Sequence, residues 1–184
     1  NVSIILPAPT KSNKILTMVS VGRLEHQKGY DKLILALSKV KNINYLLYIV
    51  GEGSLKESIN ELISKENLND KIILKGMLEN PFNIMASSDV IILFSRWEGM
   101  PNTILEALAL GKKVIFLDEL QIFKSLKNIN FKNLNILSKV DELEDILKDI
   151  KVLTDTKLKK STLPKNFHID SVSKEFCRLI KNIL

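Results

Sequence analysis

The sequence has a single cysteine, Cys177, and two widely separated histidines, His26 and His168. An internal disulfide is therefore excluded, a reducing cytoplasmic setting is favoured, and no cluster has metal-ligand spacing, so neither a bound metal nor another cofactor is expected. His168 and Cys177 read as structural. Long apolar runs are also missing: none approaches the ~18 residues of a membrane span. No basic segment leads into an apolar stretch at the start, so no signal peptide is read. Internal repeats, heptads and low-complexity tracts are absent, which argues against a solenoid or coiled-coil scaffold. Aromatic residues make up 6% of the chain and do not interleave with its lysines, which are scattered among Asn and Ile, so the net charge of +6 reads as a solvated surface and not as a nucleic-acid footprint. The seven glycines end at Gly111.

What remains is an ordinary α/β composition, 45% apolar and 26% charged over 184 residues, enough for one domain with a sizeable core and no second full domain. The opening, Asn1 to Asn13, carries Pro7 and Pro9 and no initiator Met, and reads as an interdomain linker cut from a longer chain. Residues 14–165 are expected to form the domain, and 166–184 a C-terminal amphipathic helix with Val172, Phe176, Leu179, Ile180 and Ile183 on one face. Within the domain, strands are predicted over Lys14–Val21, Tyr45–Val50, Lys71–Gly76, Val90–Phe94 and Lys112–Leu117. Helices are predicted over Tyr30–Val40, Leu55 to about Glu66 with Ser54 as its cap, Pro81–Ser88, 101–110 and Asp141–Ile150, and Thr154–Leu163 reads as a polar connector. Successive βα units imply a Rossmann-like, doubly wound parallel sheet.

Ligands of such sheets bind at the carboxyl ends of the strands. The stretch that occupies this place most distinctively is Ser95–Gly111. Val90–Phe94 shows no polar alternation and so reads as a strand buried on both faces. Glu98 follows at its end, Gly99 and Met100 turn the chain, Pro101 suits the first helical position and Gly111 the stop. The helix between is apolar nearly all round, with Glu106 its only charge. An ionised carboxylate is rarely buried alone, so Glu106 either faces solvent or meets a partner or ligand. The free N–H groups of Asn102, Thr103 and Ile104 suit a phosphate. Two carboxylates beside an anion site suit hydroxyls, and a nucleotide sugar offers hydroxyls on either side of its diphosphate.

A second loop shares that sheet edge: Gly22-Arg23-Leu24 to Lys28-Gly29, between the first strand and its helix, carries two cations suited to phosphate oxygens. Gly51 and Gly53 bound a tight turn read as letting a ligand approach the backbone. A dinucleotide fingerprint fails there, because Lys56 occupies its third glycine position, which disfavours a dinucleotide-dependent oxidoreductase.

The motif Glu98-x7-Glu106, written Glu-Gly-Met-Pro-Asn-Thr-Ile-Leu-Glu-Ala-Leu-Ala-Leu-Gly, resembles the signature of retaining glycosyltransferases of family 4, the group 1 type, over motifs spanning about residues 16 to 117. The resemblance implies the C-terminal, donor-binding domain of a GT-B fold, whose N-terminal acceptor domain is absent from this chain. It implies that Arg23 and Lys28, beside Gly22, serve the donor diphosphate, that Glu98 addresses the sugar hydroxyls and reacting face, and that Glu106 holds the ribose. It places the base near the Lys75-Gly76-Met77 backbone, a contact that does not distinguish uracil from guanine, and Gly99, Met100 and Asn102–Ile104 along the donor. The implied activity is hexosyl transfer from a UDP- or GDP-sugar to a glycan or lipid-linked acceptor, without a metal, in the cytoplasm with peripheral contact at the inner face of a membrane. A nucleotide-sugar-binding module without catalysis of its own is the alternative. Family members usually carry a Gly-Gly turn after the fifth strand, whereas Glu119 to Leu137 has no glycine, so the rim of the donor pocket is expected to differ.

Overall fold

The computed structural model describes residues 15–98, 102–119 and 133–153, the last three of these by backbone alone. Strands β1 (Leu16–Val21), β2 (Tyr45–Val50), β3 (Ile72–Gly76), β4 (Val90–Leu93), β5 (Lys113–Leu117) and β6 (Leu134–Leu137) form one parallel sheet in the order β3-β2-β1-β4-β5-β6. This is the doubly wound Rossmann-like arrangement expected, and its strand order reverses between β1 and β4.

Alternation along the strands feeds two cores. Val90 and Ile92 of β4 join Leu16 and Met18 of β1 on one face, and Ile91 and Leu93 join Val19 on the other. The first face is covered by α1 (Tyr30–Ser38), α2 (Lys56–Lys65) and α5 (Leu143–Leu153), through residues such as Leu33, Ile34, Leu37, Ile59, Ile63 and Leu147. The second is covered by α3 (Phe82–Ser87), with Ile84 and Met85, and by α4 (Asn102–Ala109), with Ile104, Ala107 and Leu108. The four residues of β4 are all buried, which accounts for its lack of polar alternation.

The structure departs from the sequence expectations at three places. Ser54 does not cap α2: its N–H and hydroxyl both donate to the Glu25 carboxylate at 2.9 Å, and the helix has Leu55 at its N-cap with no side-chain hydrogen bond. A sixth strand, Leu134–Leu137, lies within the glycine-free segment and pairs in parallel with β5, Val114 opposite Leu134 and Leu117 opposite Leu137. At the turn of Gly51 and Gly53 the close approach shown is that of the loop after β1: a Cβ on Gly51 would lie 2.0 Å from the Gly22 carbonyl oxygen, and one on Gly53 2.5 Å from that of Leu24. The linker over 1–13, the connector Thr154–Leu163 and the C-terminal helix over 166–184, with His168 and Cys177, lie outside the described residues. No helix among the described residues is long and apolar enough to cross a membrane.

Candidate functional site

The loop after β1 is built as a shelf between two neighbours. On one side it continues the sheet ladder past the end of β2: the Gly22 N–H donates to the Val50 carbonyl at 3.0 Å and the Leu24 N–H to that of Glu52 at 2.9 Å. The Leu24 side chain is buried in the core and anchors it. A single 3₁₀ turn, His26–Lys28, then leads through Gly29, in the left-handed region at φ 63°, into α1. On the other side the loop meets the chain leaving β4, where the Arg96 N–H donates to the Gln27 carbonyl at 2.8 Å.

This brings two of the candidate residues into direct contact. Lys28 Nζ lies 2.6 Å from Glu98 Oε1, and the Ser95 hydroxyl donates to the same oxygen at 2.7 Å. The Glu98 side chain is only 8% exposed, so its charge depends on these two donors. Its other oxygen, Oε2, takes no hydrogen bond from the described residues. Gly22 makes room for the lysine stem, since a Cβ there would sit 3.1 Å from Lys28 Cδ and Cε. Beneath it the buried Tyr30 hydroxyl donates to the Gly22 carbonyl at 3.1 Å, and burial above all pushes the Tyr30 phenol well up from its ordinary value.

The remaining candidates spread along the same edge. Arg23, in the shelf between Gly22 and Leu24, is exposed. Asn102 and Thr103 open α4, whereas Ile104 turns its side chain into the core and offers only its backbone. Glu106, on the second turn, is half-buried and makes no ion pair with the described residues. Lys75 at the end of β3 places its ammonium 4.8 Å from the centre of the Tyr48 ring, and Gly76 follows at φ 70°. Gly99 and Met100 lie outside the described residues. No three His, Cys, Asp or Glu side chains cluster as metal ligands among the described residues.

Sequence reasoning missed Ser95, Asp31 and Arg96. Ser95 stands three residues before Glu98, a spacing that brings hydroxyl and carboxylate together in a tight turn. Arg96 forks onto Asp31, with Nη1 to Oδ1 at 2.8 Å and Nη2 to Oδ2 at 2.5 Å, across 65 residues of sequence, and no local pattern announces that partnership. The Arg96 guanidinium, mainly through these hydrogen bonds, holds the Asp31 carboxyl below its ordinary range.

A shelf after β1 carrying Lys28, set against a carboxylate on the chain after β4 at the reversal point of the sheet, is the place where such folds bind anionic ligands. The model of the group 1 glycosyl transferases matches residues 4–161, and the chain belongs to that family. It is 40% identical over 125 residues to an uncharacterised glycosyltransferase of Methanocaldococcus jannaschii, covering 67% of this chain and 30% of that protein. It is 32% identical over 145 residues to the N-acetylgalactosamine-N,N'-diacetylbacillosaminyl-diphospho-undecaprenol 4-alpha-N-acetylgalactosaminyltransferase of Campylobacter jejuni, covering 78% of this chain and 39% of that one. Among solved structures, the lipopolysaccharide outer core galactosyltransferase WaaB superposes with a TM-score of 0.74 at 21% identity, over 100% of this chain and 54% of its own. Anabaena HepE, solved in complex with UDP and glucose, gives 0.73 at 17% identity, over 91% of this chain and 48% of its own. The fold is thus that of one Rossmann-like half of GT-B glycosyltransferases, and the chain spans about half the length of these solved relatives.

Proposed function

We propose that this chain is the C-terminal, donor-binding domain of a retaining glycosyltransferase of family 4, which transfers a hexosyl unit from a UDP- or GDP-sugar to a glycan or lipid-linked acceptor. The observation that carries this reading is the Lys28–Glu98 pair at the reversal point of the sheet, with cation and carboxylate 2.6 Å apart. HepE has UDP and glucose bound on the same fold, and the Campylobacter relative is named for an undecaprenol-linked acceptor. Acceptor binding would fall to the other GT-B half, so the isolated chain would bind donor without transferring it, at the cytoplasmic face of a membrane.

Transfer requires stabilising a departing diphosphate and a positively charged anomeric carbon. Lys28, Arg23 and the amides of Asn102, Thr103 and Ile104 supply fixed positive potential where charge grows on the diphosphate, which is electrostatic preorganisation and calls for no cation. Glu98 turns its unused oxygen to the sugar hydroxyls, and Glu106, on the helix that follows, accepts from the ribose. Lys28 is shared: in the free chain it neutralises Glu98, and with donor present its ammonium also faces phosphate.

The test is a two-by-two calorimetric comparison, run in chelator, of Glu98→Gln and Glu106→Gln against the bare nucleoside diphosphate and the nucleotide sugar. Glu106→Gln should weaken both ligands. Glu98→Gln should leave the bare nucleotide no weaker and reduce only the gain from the attached hexose; in the complete enzyme it should chiefly lower kcat. Binding seen only with added magnesium or manganese, or a Glu98→Gln loss on the bare nucleotide equal to that of Glu106→Gln, would overturn the assignment.

A further inference from the structure

We propose that Arg96 is a positioning residue, whose guanidinium clasps the shelf after β1 to the chain leaving β4 and thereby sets Lys28 opposite Glu98; the proposal rests on the donor-site reading above. The ladder between β1 and β4 comprises Met18 opposite Val90 and Val19 opposite Ile91, so both functional side chains lie well beyond it. Beyond that ladder the two loops are joined by contacts centred on Arg96. Its N–H donates to the Gln27 carbonyl at 2.8 Å, its Nη1 to the His26 carbonyl at 2.8 Å, and the same guanidinium forks onto Asp31 at the start of α1. Gln27 returns the grip, its Nε2 donating to the Trp97 carbonyl at 3.0 Å. Gly29 permits the approach, because a Cβ there would lie 2.1 Å from the Phe94 carbonyl oxygen. The turn that carries Lys28 is therefore held on both sides of that residue, and the chain holding it runs directly into Glu98.

The choice of residue is physical. A planar guanidinium can satisfy a carboxylate with two donors and still offer Nη1 to a carbonyl, which a lysine ammonium cannot match with the same fixed orientation. The pair adds little to global stability, because the Asp31 side chain is 48% exposed and exposed ion pairs are weak. For the same reason, removing Arg96 strands no buried charge on Asp31, and the consequence is local to the two loops.

The experiment compares Arg96→Ala and Arg96→Lys with wild type in the full chain. Hydrogen exchange is followed over residues 22–31 and 94–98 without ligand, and calorimetry is run with UDP or GDP, whichever the wild type binds, and with the matching nucleoside. Arg96→Ala should speed exchange in both loops while the global unfolding midpoint barely moves. It should weaken the nucleotide about tenfold, short of the hundredfold that a 1 Å displacement can cost, and leave the nucleoside unaffected. Arg96→Lys should fall between. Unchanged exchange in the shelf overturns the clasp, and equal losses for nucleotide and nucleoside overturn the positioning role. If the wild type binds neither UDP nor GDP, the donor-site reading fails and the positioning role with it, while exchange still decides whether the clasp exists. Should Arg96→Ala fail to fold, Arg96→Lys and Asp31→Asn carry the same readouts.

Discussion

The shelf from Gly22 to Gly29 has two seams, and they are made of different materials. Against the turn after β2 the contact is mainly backbone on backbone: ladder hydrogen bonds from Gly22 and Leu24, with Gly51 at φ 145° passing so close to Gly22 that no side chain fits, and one carboxylate, Glu25, taking two hydrogen bonds from Ser54. Against the chain after β4 the contact also enlists charged and polar side chains, Lys28 with Glu98 and Arg96 with Asp31. The first seam is fixed geometry that leaves no room for a side chain at Gly51 or Gly53. The second is a set of charges that a bound anion could redistribute without moving the sheet, which suits the side that the proposed donor site would turn to a diphosphate.

The largest expected effect breaks the backbone seam. Gly51→Ala should destabilise the chain by on the order of 3 kcal/mol, since it adds both a disfavoured φ and a direct clash with the Gly22 carbonyl. Thermal unfolding should then shift down by roughly 10 °C for a domain of this size. A shift within a degree of wild type would mean that the shelf and the β2 turn are free to separate, and the contrast between the seams would be lost.

Next comes the charged seam. Lys28→Ala and Arg23→Ala should each weaken UDP or GDP by about 1.5–3 kcal/mol, the range for hydrogen bonds to charged groups, with little loss of affinity for the nucleoside. Lys28→Ala carries a second effect that Arg23→Ala does not, because it leaves the poorly exposed Glu98 carboxylate with Ser95 as its one donor among the described residues. Lys28→Ala should therefore lower the unfolding midpoint measurably while Arg23→Ala should not; equal midpoints would show that the pair seen in the free chain carries no weight.

The sequence announced the charged seam's ingredients but not its assembly. The run Val90–Leu93 and the helix Asn102–Ala109 were legible because apolar continuity and the Pro and Gly punctuation are local signals. Lys28 and Glu98 were each marked by position at a strand's end, yet their contact spans 70 residues and depends on β1 and β4 being neighbours. Arg96 and Asp31 carried no local mark at all. Strand β6 was missed because it is four residues long, Asn135 interrupts its apolar pattern, and its strand character comes from pairing with β5. Ser54 misled for a related reason: its cap signal is local, whereas Glu25, the partner that takes it, arrives from 29 residues away.

The smallest expected effect separates the seams by pH. The Asp31 carboxyl is held below the ordinary aspartate value by hydrogen bonds from Arg96, so its folded pKa is depressed. A depressed carboxylate contributes stability that is fully present above the unfolded value of about 3.9 and is lost as pH falls through the lower folded value. The difference between wild type and Arg96→Ala should therefore be within about 1 kcal/mol at pH 7, as befits a pair whose carboxylate is half-exposed, and should shrink toward zero below pH ~4. The Gly51→Ala penalty arises from backbone strain and a clash with the Gly22 carbonyl and not from a charge, so most of it should persist over the same window. Denaturant midpoints of both variants at pH 7 and at the lowest pH where the wild type remains folded would decide this. An Arg96→Ala deficit that survives acid would mean that the guanidinium acts through the His26 carbonyl and not through Asp31, and the charged seam would then rest, like its neighbour, mainly on backbone groups.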